Sequence, residues 1–342
     1  MRAPSPQLPR ARLASTTPLV DAIISCHDYG RFLGEAIDSA LAQSYPNLEI
    51  VVVDDGSTDD TAEVAARYAD RGVRYVYRSQ GGAGRARNTG LRATSGPLIA
   101  FLDADDAWLP DRVSAGVEHL ERHPKIALVA AHAFACDEAM RPSSIVHALR
   151  GPPSGRMLEA LLVHNVVLNP SSVLIRRSAL EAAGGFSEIQ FGEDWDTWIE
   201  IAKRFPIGFI DQVVALVRRH SGSITPRRGH SRVDVNLAIV DRHLGDVRPA
   251  WKRALLRRRA ASAAYLHAGL GSAIQGDKRV ARRYAVSAIA LDPFTLARRK
   301  LALFARVFLS EWLVARLSRA LKDDARLAHE LVGRTLVRPD DA

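Results

Sequence analysis

The chain has 342 residues, of which 47% are hydrophobic and 25% are charged. These ordinary globular values exclude wholesale disorder, and the length predicts about two domains. The formal net charge is +9, but residues 1–220 hold 23 Lys and Arg against 27 Asp and Glu, so the basic excess lies entirely in the last third. The only two cysteines, Cys26 and Cys136, exclude a disulfide framework and a cysteine-rich zinc site.

Strand and helix patterns alternate through the first part of the chain. β-Branched apolar runs predict strands, and apolar residues three and four apart predict helices. Strands are expected at residues 20–25, 49–54, 73–77, 98–102 and 126–131, with helices between them at 31–44, 58–68, 85–94 and 111–122. This alternation predicts a doubly wound, mostly parallel α/β sheet. Ligands of such sheets bind beyond the carboxyl ends of the strands.

The pattern changes in the second part of the chain. A strand at 172–175, a helix at 195–205 and short strands at 207–210 and 213–217 are predicted before a helical, arginine- and alanine-rich segment. Residues 260–293 resemble one tetratricopeptide-type helical pair, and without further copies they predict an appendage instead of a repeat array. The predicted divisions are a disordered tail at 1–18, an α/β domain at 19–229 and a basic helical region at 230–342.

Acidic residues cluster at two predicted strand ends. Asp103 and Asp105 follow the strand at 98–102, while Asp54 ends the strand at 49–54 and Asp55 follows it. Side chains two residues apart in an extended chain point the same way, and adjacent carboxylates are unfavourable unless a cation lies between them. Such hard oxygen ligands suit Mg²⁺ or Mn²⁺. The alternative is a solvated turn whose acids cap the next helix.

Three stretches together resemble family 2 glycosyltransferases, a large inverting family with the GT-A fold. They are DAIISCHDYGRFLGEAIDSALAQSYPNLEIVVVDDGSTDDT, GGAGRARNTGLRATSGPLIAFLDADD and GGFSEIQFGEDWDTWIEIA. They lie within residues 19–224, about 60% of the chain. The resemblance implies that residues 19–229 form a GT-A type mixed, mostly parallel sheet, followed by a C-terminal α-helical appendage.

The resemblance also implies roles for individual residues at the donor site. Asp55 matches the position that holds the nucleotide base, with Ser25 in the same pocket. Asp103 matches the aspartate facing the ribose or sugar, and Asp105 matches the ligand of the metal, Mg²⁺ or Mn²⁺, that bridges the donor diphosphate. His27 and Asp28 stand where the family often has an aromatic residue and Asn, a departure in the base pocket.

Three further residues match family motifs around the reaction centre. Asp194 matches the proposed catalytic base, at the start of a predicted helix whose dipole would favour the charged carboxylate. Arg87 lies in a matching segment near the donor, and His220 matches a late basic motif near the diphosphate. Trp195 and Trp198, three residues apart on one helix, are predicted to be core residues.

The implied function is inverting transfer of a sugar from a nucleoside diphosphate sugar, UDP-type, to a hydroxyl of a glycan or lipid-linked acceptor in cell-envelope or surface polysaccharide synthesis. One alternative is a sugar nucleotidyltransferase, although residues 26–30 lack the glycine-rich basic loop such enzymes carry after the first strand. The other is a catalytically inert scaffold that binds nucleotide sugars.

The basic region from residue 230 has two interpretations. Its arginines and lysines either form solvated helix faces or attach the protein to an anionic membrane surface. Phe294, Leu301, Phe304, Phe308 and Trp312 supply apolar positions at helical spacing. No nucleic-acid recognition motif accompanies the charge, so nucleic acid is not an expected partner. The expected location is the cytoplasm, with peripheral attachment to the inner face of the cell membrane.

Overall fold

The structure, a computed structural model, describes residues 17–146, 157–167, 169–222 and 232–308. Most of the predicted N-terminal tail and Trp312 lie outside these residues. By contacts the chain divides into two compact units, one of residues 1–224 with 235–257 and one of residues 225–234 with 258–342. The predicted boundary near residue 230 stays a prediction.

Nine strands within the described residues form one mixed sheet. They are β1 Val20–Cys26, β2 Leu48–Asp55, β3 Arg74–Arg78, β4 Leu98–Asp103, β5 Ala107–Trp108, β6 Leu128–Cys136, β7 Pro142–Val146, β8 Val173–Arg176 and β9 Ile207–Arg218. Their order is β3-β2-β1-β4-β8-β6-β9-β5, with β7 beside β6. The first four strands are mutually parallel, and β8 runs antiparallel to both β4 and β6. The predicted mixed, mostly parallel sheet is therefore confirmed.

Helices separate most of these strands along the chain, and further helices follow the last strand. They are α1 Gly30–Leu41, α2 Thr61–Ala66, α3 Ala83–Ala93, α4 Arg112–Arg122, α5 Met157–Val163, α6 Arg177–Ala182, α7 Glu193–Arg204, α8 Arg232–Leu244, α9 Ala250–Ile274, α10 Lys278–Leu291 and α11 Ala297–Phe308. The predicted helical character is confirmed for residues 232–308. No helix among the described residues is long and apolar enough to cross a membrane.

Two elements differ from their predicted extents. The helix expected at 58–68 is limited to Thr61–Ala66, because the Asp59 carboxylate accepts hydrogen bonds from the Thr61 and Gly30 amides and holds the preceding residues in a turn. The two short strands expected at 207–210 and 213–217 are one strand, β9. Its pairing with β6 shifts register near His132, so the strand continues through Asp211 and Gln212, which separate the two apolar runs.

Apolar side chains from both faces of the sheet form the core beneath the strand ends. Trp195 and Trp198 are buried, as predicted, and both cysteines are free and buried. Helix α3 lies so close to β1 that a Cβ added at Gly90 would lie 2.4 Å from Cγ2 of Ile23. This close approach requires glycine and sets the position of α3, which carries Arg87.

A buried ion pair fixes the junction between the parallel strands and antiparallel β8. Arg177 Nη2 donates to Asp21 Oδ2 at 2.6 Å, and Asp21 is fully buried. We expect Arg177→Ala to lower the free energy of unfolding by about 3 kcal/mol, because Asp21 would keep its buried charge without its cation. Urea unfolding followed by circular dichroism measures this, with the exposed Arg92→Ala as matched control. Equal midpoints for the two variants would contradict it.

Candidate active site

The carboxyl ends of β1, β2 and β4 meet at one edge of the sheet. Ser25 lies opposite Asp103 in the register of β1 with β4, and Cys26 lies opposite Asp54 in the register of β1 with β2. The Ala104 amide donates to the Ser25 carbonyl at 3.2 Å and continues this contact past the strand. The two acidic clusters expected from the sequence are therefore brought to the same edge.

The turn after β4 holds three carboxylates in different environments. Asp103 is held by Arg87, and Asp105 Oδ2 lies 3.2 Å from His220 Nε2. Asp106 accepts hydrogen bonds from Ser171 Oγ at 2.7 Å and from the Arg218 amide at 3.1 Å. Burial, and then the charge of Asp103, raises the pKa of Asp105 above its usual range. The ionised form of Asp105 is therefore disfavoured unless a cation offsets its burial and the charge of Asp103.

The end of β9 supports this turn from the neighbouring side. Arg218 Nε donates to the Asp105 carbonyl at 2.9 Å, and the Gly222 amide donates to His220 Nδ1 at 3.1 Å. Since Nδ1 accepts, Nε2 carries the proton that His220 donates to Asp105. The His220 ring packs against Phe32, with ring centroids 4.8 Å apart. His220 thus contacts the carboxylate predicted to bind metal.

Arg87 joins the strand-end acids to the start of α7. Its buried guanidinium donates from Nη2 to Asp103 Oδ1 at 2.7 Å and from Nη1 to Glu193 Oε1 at 2.8 Å. The same group lies 5.2 Å from the ring centroid of Phe186. Arg87 thus positions two carboxylates, and its predicted contact with the donor stays a prediction.

Asp194 is half-buried beside this bridge, at the first turn of α7. Burial, and then the charge of Glu193, raises its pKa to about 7, while Arg87 acts in the opposite direction. Its Oδ2 lies 3.4 Å from Asn165 Nδ2, and its Oδ1 accepts from the Trp195 amide. A carboxylate with this pKa holds and releases a proton near neutral pH, as a general base requires.

Asp55 lies at the same edge but is fully engaged within the protein. Its carboxylate forms an ion pair with Arg78 and accepts from the amides of Gly81 and Gly82 before α3. These contacts shape the glycine-rich loop between β3 and α3. Contact with a nucleotide base stays a prediction for Asp55, as it does for Ser25.

Comparison with known proteins assigns part of the chain to a family. Residues 21–184 match the family model described as Glycosyl transferase family 2. These residues form a family 2 glycosyltransferase domain. A Rickettsia felis protein named as an uncharacterized glycosyltransferase is 32% identical over 214 residues, which are 60% of this chain and 35% of that protein. TuaG of Bacillus subtilis, named for teichuronic acid biosynthesis, is 27% identical over 62% of this chain and 83% of its own.

Solved glycosyltransferases share the fold. Staphylococcus aureus TarS, solved with UDP-GlcNAc, matches 84% of this chain and 87% of its own with a TM-score of 0.61 at 15% identity. The mannosyltransferase PcManGT of Pyrobaculum calidifontis, solved with GDP-Man and Mn²⁺, matches 87% of this chain and 82% of its own with a TM-score of 0.56 at 19% identity. The transferase domain therefore has the GT-A fold. The chain spans between about a third and two thirds of the length of the first curated relatives it matches.

The chemistry of the acidic turn is compatible with one carboxylate contact to a divalent cation. Within the described parts of the chain, no three His, Cys, Asp or Glu side chains form a metal-binding group by themselves. Mg²⁺ sites of nucleotide-using enzymes commonly take one or two protein carboxylates and complete the shell with phosphate oxygens and water. The side chain of Asp105 is 16% exposed and lies near the negative charge of Asp103. Asp105 therefore has the chemistry to supply one such carboxylate.

Three residues that hold the site together, Glu193, Ser171 and Arg218, have no role predicted from the sequence. Glu193 holds one end of the Arg87 bridge, while Ser171 and Arg218 hold Asp106. Glu193 adjoins Asp194 and Arg218 precedes His220 by two residues, so neighbourhood in the sequence was an available signal for both. Ser171 lies next to an irregular segment and carried no such signal.

Proposed function

We propose that the transferase domain moves a sugar from a UDP-type nucleoside diphosphate donor to an acceptor hydroxyl, with inversion at the anomeric carbon. The observation that carries this proposal is the Arg87 bridge, which links the Asp103 turn to the first turn of α7, where Asp194 has a pKa of about 7. The buried guanidinium of Arg87 thereby connects the donor-binding groups to the group that accepts the proton.

Asp194 performs the proton step in this account. Its carboxylate accepts the proton of the acceptor hydroxyl while that oxygen bonds to the anomeric carbon. The bond from the same carbon to the diphosphate oxygen breaks with its electron pair, and nucleoside diphosphate leaves. Because attack and departure occur on opposite faces, the configuration inverts.

Asp103, Asp105 and His220 serve the departing side of the reaction. Asp105 would hold Mg²⁺ or Mn²⁺, which when bound neutralises negative charge that develops on the leaving diphosphate. His220 orients the Asp105 carboxylate through its Nε2 proton, and Arg87 orients Asp103 toward the ribose or sugar. Ser25 and Asp55 complete the pocket for the base.

The acceptor in this proposal is a glycan or lipid-linked glycan of the cell envelope. Support comes from the names of related proteins: TuaG is named for teichuronic acid biosynthesis. We place the enzyme in the cytoplasm, at the inner face of the membrane, where nucleotide sugars and membrane-held acceptors would meet.

The direct test is nucleoside diphosphate release from a panel of UDP- and GDP-sugars, with Mn²⁺ and with water or simple glycosides as acceptor. We expect UDP release that stops when EDTA is added. Pyrophosphate release from nucleoside triphosphate and sugar phosphate would instead support a nucleotidyltransferase. Binding of UDP-sugars without any turnover would support the inert scaffold.

Glu193 gives a prediction for the pH dependence. Asp194 acts as base when deprotonated, so kcat/KM should rise with pH through about 7. Removing the negative neighbour lowers the pKa of Asp194, so Glu193→Gln should shift this acidic limb downward by about one pH unit. The control is Glu188→Gln, an exposed carboxyl paired with Arg85. An unshifted limb in Glu193→Gln would contradict Asp194 as the group that titrates.

A further inference from the structure

Helix α11 has an exposed apolar side that its own unit leaves uncovered among the described residues. Leu301, Phe304 and Phe308 are 63%, 37% and 39% exposed, while Leu303 and Val307 of the same helix are buried. The exposed residues lie three and four apart and therefore share one side of the helix. We call these three residues the α11 stripe. The rings of Phe304 and Phe308 stack, with centroids 4.5 Å apart.

The segment containing the stripe is strongly cationic. Residues 258–308 include ten Lys and Arg but only two acids, Asp277 and Asp292. Asp277 caps α10 by accepting from the Val280 amide. Asp292 accepts from the Phe294 and Thr295 amides and lies 3.5 Å from Arg259 Nε. Both acids are thus occupied, and they offset little of the positive charge.

Arg282, a basic residue of α10, contacts α11 beside the α11 stripe. Arg282 Nε donates to the Val307 carbonyl at 2.7 Å, and its guanidinium lies 5.5 Å from the ring centroid of Phe308. Lys278, Arg279 and Arg283 of α10 are exposed. Phe294, which is 85% exposed, precedes α11. Apolar and cationic groups are therefore presented together by one small helical unit.

We propose that the α11 stripe docks on the surface of an anionic lipid bilayer. Helices that lie in a bilayer interface combine an apolar side with basic residues that attract acidic headgroups. A second copy of this chain would bring a like positive charge to the same surface, which disfavours self-association through the stripe. The proposal extends the proposed function, because it would bring the transferase to a membrane-held acceptor.

The experiment is vesicle flotation of the full-length protein without any nucleotide sugar. We expect binding to vesicles of 70% phosphatidylcholine and 30% phosphatidylglycerol, weak binding to phosphatidylcholine alone, and release at high salt. The triple variant Leu301→Ser/Phe304→Ser/Phe308→Ser should bind the anionic vesicles about tenfold less tightly or weaker. Lys278→Gln/Arg279→Gln/Arg283→Gln should also weaken binding and make it less sensitive to salt.

Matched controls separate the stripe from exposed apolar surface in general. Ile274 and Val286 are 69% and 55% exposed on α9 and α10, so Ile274→Ser/Val286→Ser should bind like the unmodified protein. Equal binding to neutral and anionic vesicles, or flotation of the stripe variant at the unmodified level, would overturn the proposal. A dimer in sedimentation velocity that the stripe variant dissociates, without vesicle binding, would assign the stripe to a second copy instead.

Lipid binding and catalysis are read out independently. The stripe variant should release UDP from the donor in detergent-free solution at the unmodified rate, since no residue of the stripe belongs to the catalytic groups. Vesicle binding without UDP release would leave the docking surface intact and contradict the proposed function. UDP release without vesicle binding would support the proposed function and contradict the docking surface.

Discussion

Asp194→Asn is expected to lower kcat/KM for the UDP-sugar by about 1,000-fold. The amide cannot accept the proton of the acceptor hydroxyl, and general-base catalysis commonly contributes about 100- to 10,000-fold. Asn keeps the size of the side chain and removes only the charge, so α7 should fold as before. Donor binding should stay within about threefold, since the lost step follows binding. UDP release under saturating Mn²⁺ measures the effect.

The control for this variant is Asp70→Asn, because Asp70 is an exposed carboxyl outside the proposed site. It should retain the unmodified rate. If Asp194→Asn turned over within about tenfold of the unmodified enzyme while Asp70→Asn was normal, the base would have to be another group. The acidic limb near pH 7 would then survive in Asp194→Asn, which would show that Asp194 is not the group that titrates.

Asp105→Asn is expected to lower turnover at low Mn²⁺ by about 100-fold, comparable with loss of one group that stabilises transition-state charge. The variant removes the negative ligand that His220 orients, so the metal would be held by donor phosphates and water alone. High Mn²⁺ should therefore restore part of the rate, whereas it should restore none to Asp194→Asn. A Mn²⁺ titration of UDP release measures both variants.

The exposed Asp111→Asn is the matched control for this second substitution. Its Mn²⁺ dependence should equal that of the unmodified protein. An Asp105→Asn enzyme with unchanged Mn²⁺ dependence would place the metal on another residue, and EDTA-resistant turnover of the unmodified protein would contradict metal dependence itself.

The sheet and the acidic edge were accessible to sequence reasoning because local signals determine them. The strand before Asp103 is a continuous apolar run, and its end fixes where the acids emerge. Asp194 carries a helix-start pattern, and α7 does begin at Glu193. In both cases the periodicity of a few neighbouring residues contains the information.

The partners of these acids depend on contacts between distant parts of the chain. Arg87 and Glu193 are separated by 106 residues, and their contact requires α3 to pack on β1 through Gly90. The Asp55 contact with Arg78 depends on the parallel pairing of β2 with edge strand β3, in which these two residues lie opposite one another. No periodic pattern encodes such pairings, so the sequence identified the acids without the cations that organise them.

The exposed side of α11 also depends on contacts between distant parts of the chain. The sequence places Leu301, Phe304 and Phe308 at helical spacing. It does not show which apolar residues of α11 face the core, because the charged residues are not confined to one side of the helix. Packing against α9 and α10 makes that division: Leu303 and Val307 join a core with Leu266 and Ala281, and the α11 stripe remains outside.

The central claim is that one site has a donor-binding half at Asp105 and a chemical half at Asp194. Calorimetric titration of UDP in the presence of Mn²⁺ into the unmodified protein and both variants tests it most directly. We predict that Asp194→Asn binds UDP within about threefold of the unmodified protein, while Asp105→Asn binds about 30-fold more weakly or worse. Equal weakening in both variants, or no UDP binding by the unmodified protein, would contradict this division of the site.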